Sequence, residues 1–383
     1  MTEKLYYKDA YMTEFDAVVI SCAELEGGYD ILLDRTAFFP NEGGQYSDRG
    51  MLGSVRVLNV TEKEGVIHHH TESPIAVGTS VHGAVDFDER YEKMQCHTAE
   101  HILSGLIHKY HGLNNVGFHL GADDVTMDIS APLTREELDK IEALANEVVY
   151  KNIEVIDSFP SPEELKNIDY RSKLDFTDNV RIVKIGEYDS CACCAPHVKH
   201  TGEIGLIKIL DFSKLRGGIR IHITAGRRAV RYFRECYKHI SAVSASLSVP
   251  KNEIGEGVEK LLCELASVKA EYSSYRISVM ERAAESVSNT EGNAVFVFRD
   301  AATDELIAFS NKAIDKISGI LVLLSVKDGD YKYVISSRTV NLREKIGEIN
   351  KSLLGRGGGK PNLVQGSFAC DYNKIFEYFN PQA

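Results

Sequence analysis

Residues 90–110 read RYEKMQCHTAEHILSGLIHKY, and this stretch decides the fold class. Its apolar residues recur at spacings of three and four, which is typical of an α-helix, and Gly112 follows as a stop signal. The preceding residues 11–87 read instead as short alternating strands. Because helices and strands are then mixed along the chain, we predict an α+β multidomain protein.

The strands upstream of this helix are separated by Gly, Asn and Asp, which predicts a small β-barrel or sandwich, and we favour the barrel. Within this region PNEGGQYSDRG (Pro40–Gly50) is the sustained Gly-rich polar loop. Gly43 and Gly44 would allow close approach of the backbone to a ligand or another chain, with an ordinary hairpin turn as the alternative. The triple His68–His70 has no partner at metal-ligand spacing and is interpreted as the end of a strand.

Downstream, strands and helices mix up to the Cys/His-rich segment and the two strands that follow it. From Arg227 the pattern is helical, and apolar residues from Ile254 to Val279 repeat at spacings of four and three, which indicates a helical hairpin or coiled coil. A plain amphipathic helix is the alternative. The remainder predicts a small α/β domain that contains RGGGKPNLVQGS as a loop. The predicted domains are a β-barrel (1–89), an α+β core with a zinc site (90–226), a helical hairpin or coiled coil (227–290) and a small α/β domain (291–383).

The overall charge is negative, since 44 Lys and Arg residues face 56 Asp and Glu residues, for a formal net charge of −12. This balance excludes the basic surface of a protein that coats nucleic acid non-specifically. A local basic patch lies between Lys208 and Arg234, with a solvated, ion-paired face as the alternative interpretation. No apolar run approaches the roughly 20 residues of a membrane helix, so a cytoplasmic protein without membrane contact is expected.

Two sequence pairs together form a set of metal ligands. His97 and His101 are four apart on the predicted helix, so their imidazoles can reach one ion, although two polar residues on a surface helix would look the same. Cys193 and His197 form a C-x3-H pair, and the combined His3Cys set suits zinc. A zincin protease is excluded because Thr98, not Glu, follows the first histidine.

The motifs HTAEH, CCAPHVKHTGEIGLIKI, DRTAFFPNEGGQYSDRG and VGFHLGADDVTMDI resemble those of the free-standing alanyl-tRNA editing proteins, the AlaX family, which are relatives of the editing domain of alanyl-tRNA synthetase. The match runs in the same order over roughly residues 10–230. RGGGKPNLVQGS resembles the DHH-associated domain that ends the synthetase, which implies the long form of the family.

The resemblance implies a zinc-dependent hydrolase that acts in trans without ATP. Its expected substrate is the ester that joins a wrong amino acid, serine or glycine, to the terminal adenosine of alanine tRNA. A second sorting site is needed for this task because a synthetase pocket rejects an added hydroxyl or a missing methyl only weakly. The alternative is a non-catalytic tRNA-binding protein with a structural zinc. A cytoplasmic homodimer formed through the C-terminal region is also expected.

The resemblance also assigns residues, and in one place the chain departs from the family pattern. Where the family has C-G-G-T-H, this chain has CCAPH from Cys193 to His197, so Cys191 and Cys194 compete with Cys193 as ligands. Whether zinc is catalytic or only positions the adenosine stays open, and Glu100 joins His119 as a candidate for proton transfer. The implied zinc ligands are His97, His101, Cys193 and His197; the catalytic residues are Thr36, Gln45 and His119; the substrate-binding residues are Gly43, Gly44, Arg216, Arg220, Arg227, Arg228, Arg356 and Lys360.

Overall fold

The computed structural model describes residues 1–122, 124–172, 180–327 and 329–380. Two compact units divide the chain, Met1–Ser241 and Ala242–Ala383. Their boundary falls inside the segment 227–290, and the four-domain division stays a prediction. The fold is mixed α+β throughout, as predicted. In the described part of the chain, no helix combines the length and apolar character needed to cross a membrane.

Six antiparallel strands near the N-terminus close into a small barrel in the order β2-β3-β7-β6-β5-β8. This is the element predicted for residues 1–89. Alternate residues of the long first strand, such as Phe15, Ala17 and Val19, face the apolar interior, which fits the period of two expected for a half-buried strand. A short strand, β1, precedes the barrel and pairs in parallel with β4. The strands are β1 (Glu3–Lys4), β2 (Glu14–Leu25), β3 (Gly28–Leu33), β4 (Arg35–Thr36), β5 (Gly50–Leu52), β6 (Val55–Lys63), β7 (Val66–Thr71) and β8 (Ser80–Val85), with a 3-10 turn at Leu5–Tyr7.

The helix that the sequence predicted is α1 (Phe87–His111), and it is the centre of the first unit. Gly112 ends it in the left-handed conformation, with φ of 66°, as predicted. Residues 93–107 are buried on every face, so this is not a surface helix. Its polar side chains therefore need partners inside the protein.

Two sheets and a second long helix surround α1. The larger sheet has the order β14-β15-β10-β9 and the smaller the order β11-β12-β13, both antiparallel. Thr134 and Glu137 form a capping box at the start of α2. These elements are β9 (Asn115–Leu120), β10 (Val125–Ile129), α2 (Arg135–Tyr150), β11 (Val155–Ser158), α3 (Pro162–Leu165), β12 (Ile182–Ile185), β13 (Asp189–Ala192), β14 (Ile207–Leu215) and β15 (Gly218–Ala225), with a 3-10 turn at Thr201–Ile204.

Two long helices follow, α4 (Gly226–Leu247) and α5 (Ile254–Glu285), with a 3-10 turn at Lys251–Glu253 before the second. The α5 residues Val258, Leu265 and Tyr272 of the predicted seam are exposed. Only the C-terminal end of α5 is buried, where its residues join the core of the second unit. The coiled coil stays a prediction.

The C-terminal elements form a five-stranded sheet, in the order β16-β17-β18-β20-β19, with three helices. Our interpretation of RGGGKPNLVQGS as a loop is wrong, because the segment forms the hairpin β19–β20. Glycine is rare in strands, but here it leaves room for Tyr333: a Cβ on Gly366 would lie 2.6 Å from the tyrosine Oη. The elements are β16 (Ala294–Arg299), α6 (Thr303–Ala313), β17 (Ile320–Lys327), β18 (Asp330–Ser337), α7 (Leu342–Ser352), β19 (Gly355–Lys360), β20 (Leu363–Phe368) and α8 (Tyr372–Phe379), with a 3-10 turn at Ile314–Lys316.

Candidate metal centre and active site

The four residues predicted as metal ligands lie together. His97 and His101 extend from α1, and Cys193 and His197 come from the loop after β13. Their ligand atoms are all within 4.8 Å of one another. The Cys193 Sγ lies 3.6 Å from His97 Nε2 and 3.4 Å from His197 Nε2. Zinc–ligand bond lengths and a tetrahedral angle place such N and S atoms about 3.6 Å apart, so the spacing fits one four-coordinate metal ion.

Each of the three imidazoles is held by its Nδ1 atom. His97 Nδ1 lies 2.9 Å from Gln45 Oε1, His101 Nδ1 lies 2.8 Å from Asp189 Oδ2, and His197 Nδ1 lies 3.0 Å from Thr98 Oγ1. The Thr98 hydroxyl donates its proton to the Met94 carbonyl, so it can only accept from His197. Because each Nδ1 is engaged by these oxygens, Nε2 is the ring nitrogen of each histidine that faces the other ligands and would coordinate a metal ion. This is the arrangement that metal-binding histidines use.

The protonation of the three cysteines distinguishes them as ligands. Burial raises the pKa of the Cys193 thiol, but His97, His197 and His101 outweigh this and hold the pKa well below its usual value. Burial raises the pKa of Cys191 to about 11, and burial also raises that of Cys194. Since metals bind the thiolate, Cys193 is the best suited of the three. Cys191 belongs to a second candidate group with His101 and Asp189.

The Gly-rich loop lies against the metal-binding helix and β9. The Leu120 N–H donates to the Gly44 carbonyl at 2.7 Å, and a Cβ on Gly44 would lie 2.3 Å from the Phe118 carbonyl oxygen. The close backbone approach predicted for this loop is therefore made to its own chain. It brings fully buried Gln45 against His97, and Gln45 Nε2 makes no hydrogen bond among the described residues.

A buried ion cluster, formed by Asp48, Arg90 and Lys93, fixes this loop to α1. The Arg90 Nε donates to Asp48 Oδ2 at 2.8 Å, and Lys93 Nζ donates to the Ser47 carbonyl at 2.6 Å. Lys93 also lies 3.9 Å above the centre of the Tyr46 ring. The side chains of all three cluster members are at most 1% exposed. The cluster thus fixes the three residues that immediately follow Gln45.

Thr36 lies in the barrel and is fully buried. Its hydroxyl lies 2.8 Å from His69 Nε2 and accepts from the Phe38 N–H at 3.1 Å. His69 Nδ1 donates to the Ile31 carbonyl at 3.0 Å, so its Nε2 must accept the Thr36 proton. The histidine triple is thus in a strand, as interpreted, but its middle member has a role that the sequence did not show. It fixes the direction of the Thr36 hydroxyl.

His69 should make stability depend on pH. Burial lowers its pKa to about 4, against an ordinary value of 6.5. Between about pH 6.5 and pH 4 the histidine binds a proton in the unfolded chain but not in the folded chain. Stability is therefore lost as the pH falls from about 6.5 toward 4. Between pH 7 and pH 4.5 we expect His69→Gln to lose about 2–3 kcal/mol less unfolding free energy than the wild type, measured by urea denaturation.

The matched control is His82→Gln, which changes an exposed histidine of β8. This variant keeps His69, so it should keep the loss of stability that His69 causes between pH 7 and pH 4.5. Identical pH dependence in wild type and His69→Gln would contradict the assignment of a neutral buried His69.

A buried carboxylate lies beside the metal-facing atoms. Glu100 Oε1 accepts hydrogen bonds from the Ser104 hydroxyl and the Asn115 side-chain amide. Glu100 Oε2 lies 4.0 Å from His101 Nε2. Hydrogen bonds thus hold this carboxylate close to where a metal ion would bind.

A cavity of about 1,100 Å³ adjoins this centre. Its wall includes Gly105, Asn115, Asp189 and Cys191. Asp189 holds His101, and its other oxygen accepts from Arg171 Nε at 2.8 Å. The cavity therefore reaches the residues that orient one metal ligand.

The structure does not bring His119 to the metal ligands. It is exposed on β9, whereas the ring of its neighbour Phe118 lies 4.7 Å from that of His97. Adjacent residues of a strand face opposite sides of a sheet, so His119 points away from the centre.

The predicted basic patch is largely ion-paired with acids from distant parts of the sequence. Arg228 differs from the other arginines because it is buried. Its guanidinium donates hydrogen bonds to the Gly121 carbonyl and the Tyr46 hydroxyl. In the C-terminal unit, Arg356 and Lys360 are exposed on β19. The pairs in the patch are Lys208–Glu142, Arg220–Asp128, Arg227–Asp88 and Arg231–Glu92, while Arg216 is exposed in the β14–β15 turn without an ion pair among the described residues.

Sequence reasoning missed the residues that hold the ligands. Thr98 lies between the two ligand histidines and was used only to exclude a zincin protease. Asp189 lies two positions before Cys191 on β13, where alternation places both on one face. That alternation within DSCACC was the available signal.

Comparison with known proteins supports this interpretation of the centre. Residues 180–222, which include two of the candidate ligands, match the family described as threonyl and alanyl tRNA synthetase second additional domain. The chain is 29% identical to the alanyl-tRNA editing protein AlaX-L of Pyrococcus horikoshii, over 98% of this chain and 97% of that protein. These findings support an AlaX-type editing protein.

Relatives of the family include larger enzymes. The chain is 32% identical to an alanine–tRNA ligase of Halorubrum lacusprofundi over 95% of its own length, but it spans only 42% of that ligase. The chain is also 31% identical to an alanine–tRNA ligase of Thermococcus kodakarensis, over 95% of this chain and 41% of that ligase. The solved C-Ala domain of Aquifex aeolicus alanyl-tRNA synthetase is 24% identical, covering 23% of this chain and 87% of that domain with a TM-score of 0.21. A TM-score of this size does not establish a shared fold.

Proposed function

We propose that this chain is a zinc-dependent hydrolase that cleaves, without ATP, the ester between serine and the terminal adenosine of alanine tRNA, with glycine as a second substrate. The observation that carries the proposal is the convergence of three oriented Nε2 atoms on the Cys193 thiolate. Four protein ligands fill a tetrahedral zinc site, so zinc held by His97, His101, Cys193 and His197 would polarise the ester carbonyl or lower the pKa of a bound water on accepting a fifth ligand.

The surrounding residues would orient the ester and take up a proton. Gln45 acts through His97 as a positioning residue, and its unpartnered Nε2 is available to donate to an oxygen of the bound substrate. Glu100 Oε2 lies 4.0 Å from His101 Nε2, so this carboxylate is placed to accept the proton of an attacking water. His119, which is exposed, has no part in this proposal.

The rate of deacylation tests the function directly. Incubated with serylated, glycylated and alanylated alanine tRNA, the protein should release serine and spare alanine. Metal removal with a chelator should stop release, and zinc should restore it. Binding of all three tRNAs without release of any amino acid would instead support a non-catalytic tRNA-binding protein with a structural zinc.

Thr36 is proposed to recognise the serine hydroxyl. Its proton is committed to His69 and one lone pair to the Phe38 N–H, so a second lone pair is left to accept from a seryl O–H. We expect Thr36→Val to reduce the ratio of serine to alanine release by about tenfold, because the seryl hydroxyl would be buried unpaired. Release of both amino acids under single-turnover conditions measures the ratio.

The control is Thr71→Val, which also removes a buried hydroxyl from the barrel, one that bonds to the Ser73 carbonyl at 3.0 Å. It should leave the ratio unchanged. An unchanged ratio in Thr36→Val as well would show that Thr36 only supports the barrel.

Transfer RNA is the proposed partner, and a homodimer through the C-terminal region is the proposed assembly. Among the arginines of the basic patch assigned to substrate binding, Arg216 carries the best support as a phosphate contact, because Arg220, Arg227 and Arg228 are already ion-paired. Exposed apolar residues of α5, from Val258 to Val279, support the packing of a second chain against that helix. Light scattering, which measures the mass of the assembly, tests this.

A further inference from the structure

Arg181 is a buried arginine that bonds to the ligand loop, residues 193–197, which carries two of the four candidate metal ligands. It lies directly before β12 and is 7% exposed. Its Nη1 donates to the Cys193 carbonyl at 3.1 Å and to the Ala195 carbonyl at 2.8 Å. A guanidinium Nη carries two N–H groups, so one nitrogen can hold both carbonyls at the same time.

The backbone of Arg181 also contacts the ligand loop. The Cys193 N–H donates to the Arg181 carbonyl at 3.0 Å, which adds one hydrogen bond beyond the paired strands β12 and β13. Cys193 is therefore held by one residue through both its N–H and its carbonyl. These bonds fix the backbone that carries the Cys193 thiolate against the end of β12.

The second ligand of the loop is restrained through Ala195. Pro196 stands between Ala195 and His197, and its ring fixes the backbone dihedral φ at about −65°. A fixed Ala195 carbonyl therefore limits the positions that are open to His197. The imidazole of this histidine has its own support, because its Nδ1 lies 3.0 Å from Thr98 Oγ1.

The guanidinium of Arg181 is itself held in place and shielded from water. Its Nε donates to Asp157 Oδ2 at 3.0 Å, and its Cζ lies 5.6 Å from the centre of the Tyr7 ring. Tyr6 and Phe39 pack with Ala195 in a small buried cluster, so apolar contacts also support the loop. Hydrogen bonds from a charged donor are strong where water is excluded, and Arg181 therefore resists displacement of the loop.

We propose that Arg181 is a positioning residue of the metal centre, which holds Cys193 and His197 at coordination distance and thereby raises the affinity for zinc. Its guanidinium acts on the backbone of the ligand loop and supplies no ligand. The inference rests on the proposed function for the identity of the metal ion. It adds a residue that is neither a metal ligand nor a partner of a ligand imidazole.

The first measurement is the zinc affinity of the folded protein, determined by competition with a chromophoric chelator. Arg181→Lys keeps the charge but has one nitrogen, which cannot bond to Asp157 and both carbonyls in the geometry of the guanidinium. We expect zinc to bind about 10-fold more weakly to Arg181→Lys and up to about 100-fold more weakly to Arg181→Gln, the range for loss of an outer-shell partner.

The second measurement is the absorption spectrum of the cobalt-substituted protein. Its thiolate-to-cobalt band reports the geometry of Cys193 at the metal ion. This band should shift or weaken in both Arg181 variants, whereas a loss of global stability alone would leave it unchanged in the folded protein.

The matched control is Arg276→Lys, because Arg276 of α5 likewise donates to a carboxylate, Glu305, and to a backbone carbonyl, that of Asp300. It should leave zinc affinity and the cobalt band unchanged. Asp157→Asn serves if neither Arg181 variant folds, since Asp157 is 41% exposed and Arg181 stays in place. We expect this variant to bind zinc several-fold more weakly.

Wild-type zinc affinity and a wild-type cobalt band in the Arg181 variants, or in Asp157→Asn if those do not fold, would overturn the proposal. An equal loss in Arg276→Lys would also overturn it, because the effect would then come from stability alone. Failure of the proposed hydrolysis is recognised separately. A wild type that binds zinc but releases no serine leaves the comparison of affinities intact, whereas a wild type that binds no zinc would overturn both proposals.

Discussion

Cys193→Ala is expected to lose the bound metal and to lower kcat/KM for seryl-tRNA hydrolysis by more than about 100-fold, since loss of an outer-shell partner alone costs 10–100-fold. The Sγ atom lies 3.4 Å and 3.6 Å from two ligand nitrogens, so its removal leaves one coordination position without a protein ligand. Three histidines would remain, and the positive ion would lose its one anionic ligand. Elemental analysis of dialysed protein and single-turnover deacylation measure the two effects.

Cys191→Ala and Cys194→Ala are the matched controls, because they make the same change in the same segment. Burial raises the pKa of both thiols, so neither supplies a thiolate as readily as Cys193. Both variants should keep one zinc per chain. Full zinc in Cys193→Ala together with loss in Cys191→Ala would transfer the site to the alternative group of His101, Asp189 and Cys191.

Asp189→Asn separates the ligands from the groups that orient them. The amide keeps the shape of the side chain but loses the charge that accepts from His101 and Arg171. We expect Asp189→Asn to lower metal affinity, and through it activity, by less than Cys193→Ala does. The same two measurements check this. An effect equal to that of Cys193→Ala would mean that Asp189 is itself a ligand.

The ligands could be predicted from the sequence because each pair is local. An i, i+4 histidine pair on a helix and a C-x3-H loop are visible as spacings, and so are the Gly112 stop and the Thr134 cap. The resemblance then joined the two pairs. Neither the spacings nor the resemblance predicted how deeply α1 is buried. Apolar residues occupy only part of the helix, yet residues 93–107 are buried on all sides.

The partners of those ligands could not be predicted, because they are set by tertiary structure. Gln45 reaches His97 from 52 positions away, and Asp189 reaches His101 from 88. The same reason explains the basic patch, where counting charges near Arg227 missed Asp88, 139 positions away. Local composition also failed at the hairpin β19–β20, where Gly357 and Gly366 leave room for the Tyr333 hydroxyl although the sequence reads as a loop.

Asp48→Ala is expected to cost about 3–5 kcal/mol of unfolding free energy, the largest loss from a single change away from the metal ligands. It would leave Arg90 with a buried charge and no carboxylate partner, while Lys93 would keep only its 3.0 Å pair with Glu89. The Phe39 N–H, which donates to Asp48 at 2.7 Å, would also lose its acceptor. Urea denaturation in the presence of zinc measures the loss, and a domain stability of about 5–15 kcal/mol allows the variant to fold.

The controls distinguish a buried cluster from an ordinary ion pair and stability from function. Glu62→Ala breaks the 2.7 Å pair with Lys4, which is about one-fifth exposed, and should cost below about 1 kcal/mol. Asp48→Asn keeps an acceptor for Phe39 but not the charge, so its cost should lie between the two. Since the buried ion cluster also holds the loop that carries Gln45, Asp48→Asn should bind zinc more weakly at temperatures where it is fully folded. A cost below about 1 kcal/mol in Asp48→Ala would show that water or a rearranged loop solvates the two cations. Unchanged zinc affinity in Asp48→Asn would show that Gln45 keeps its position without the cluster.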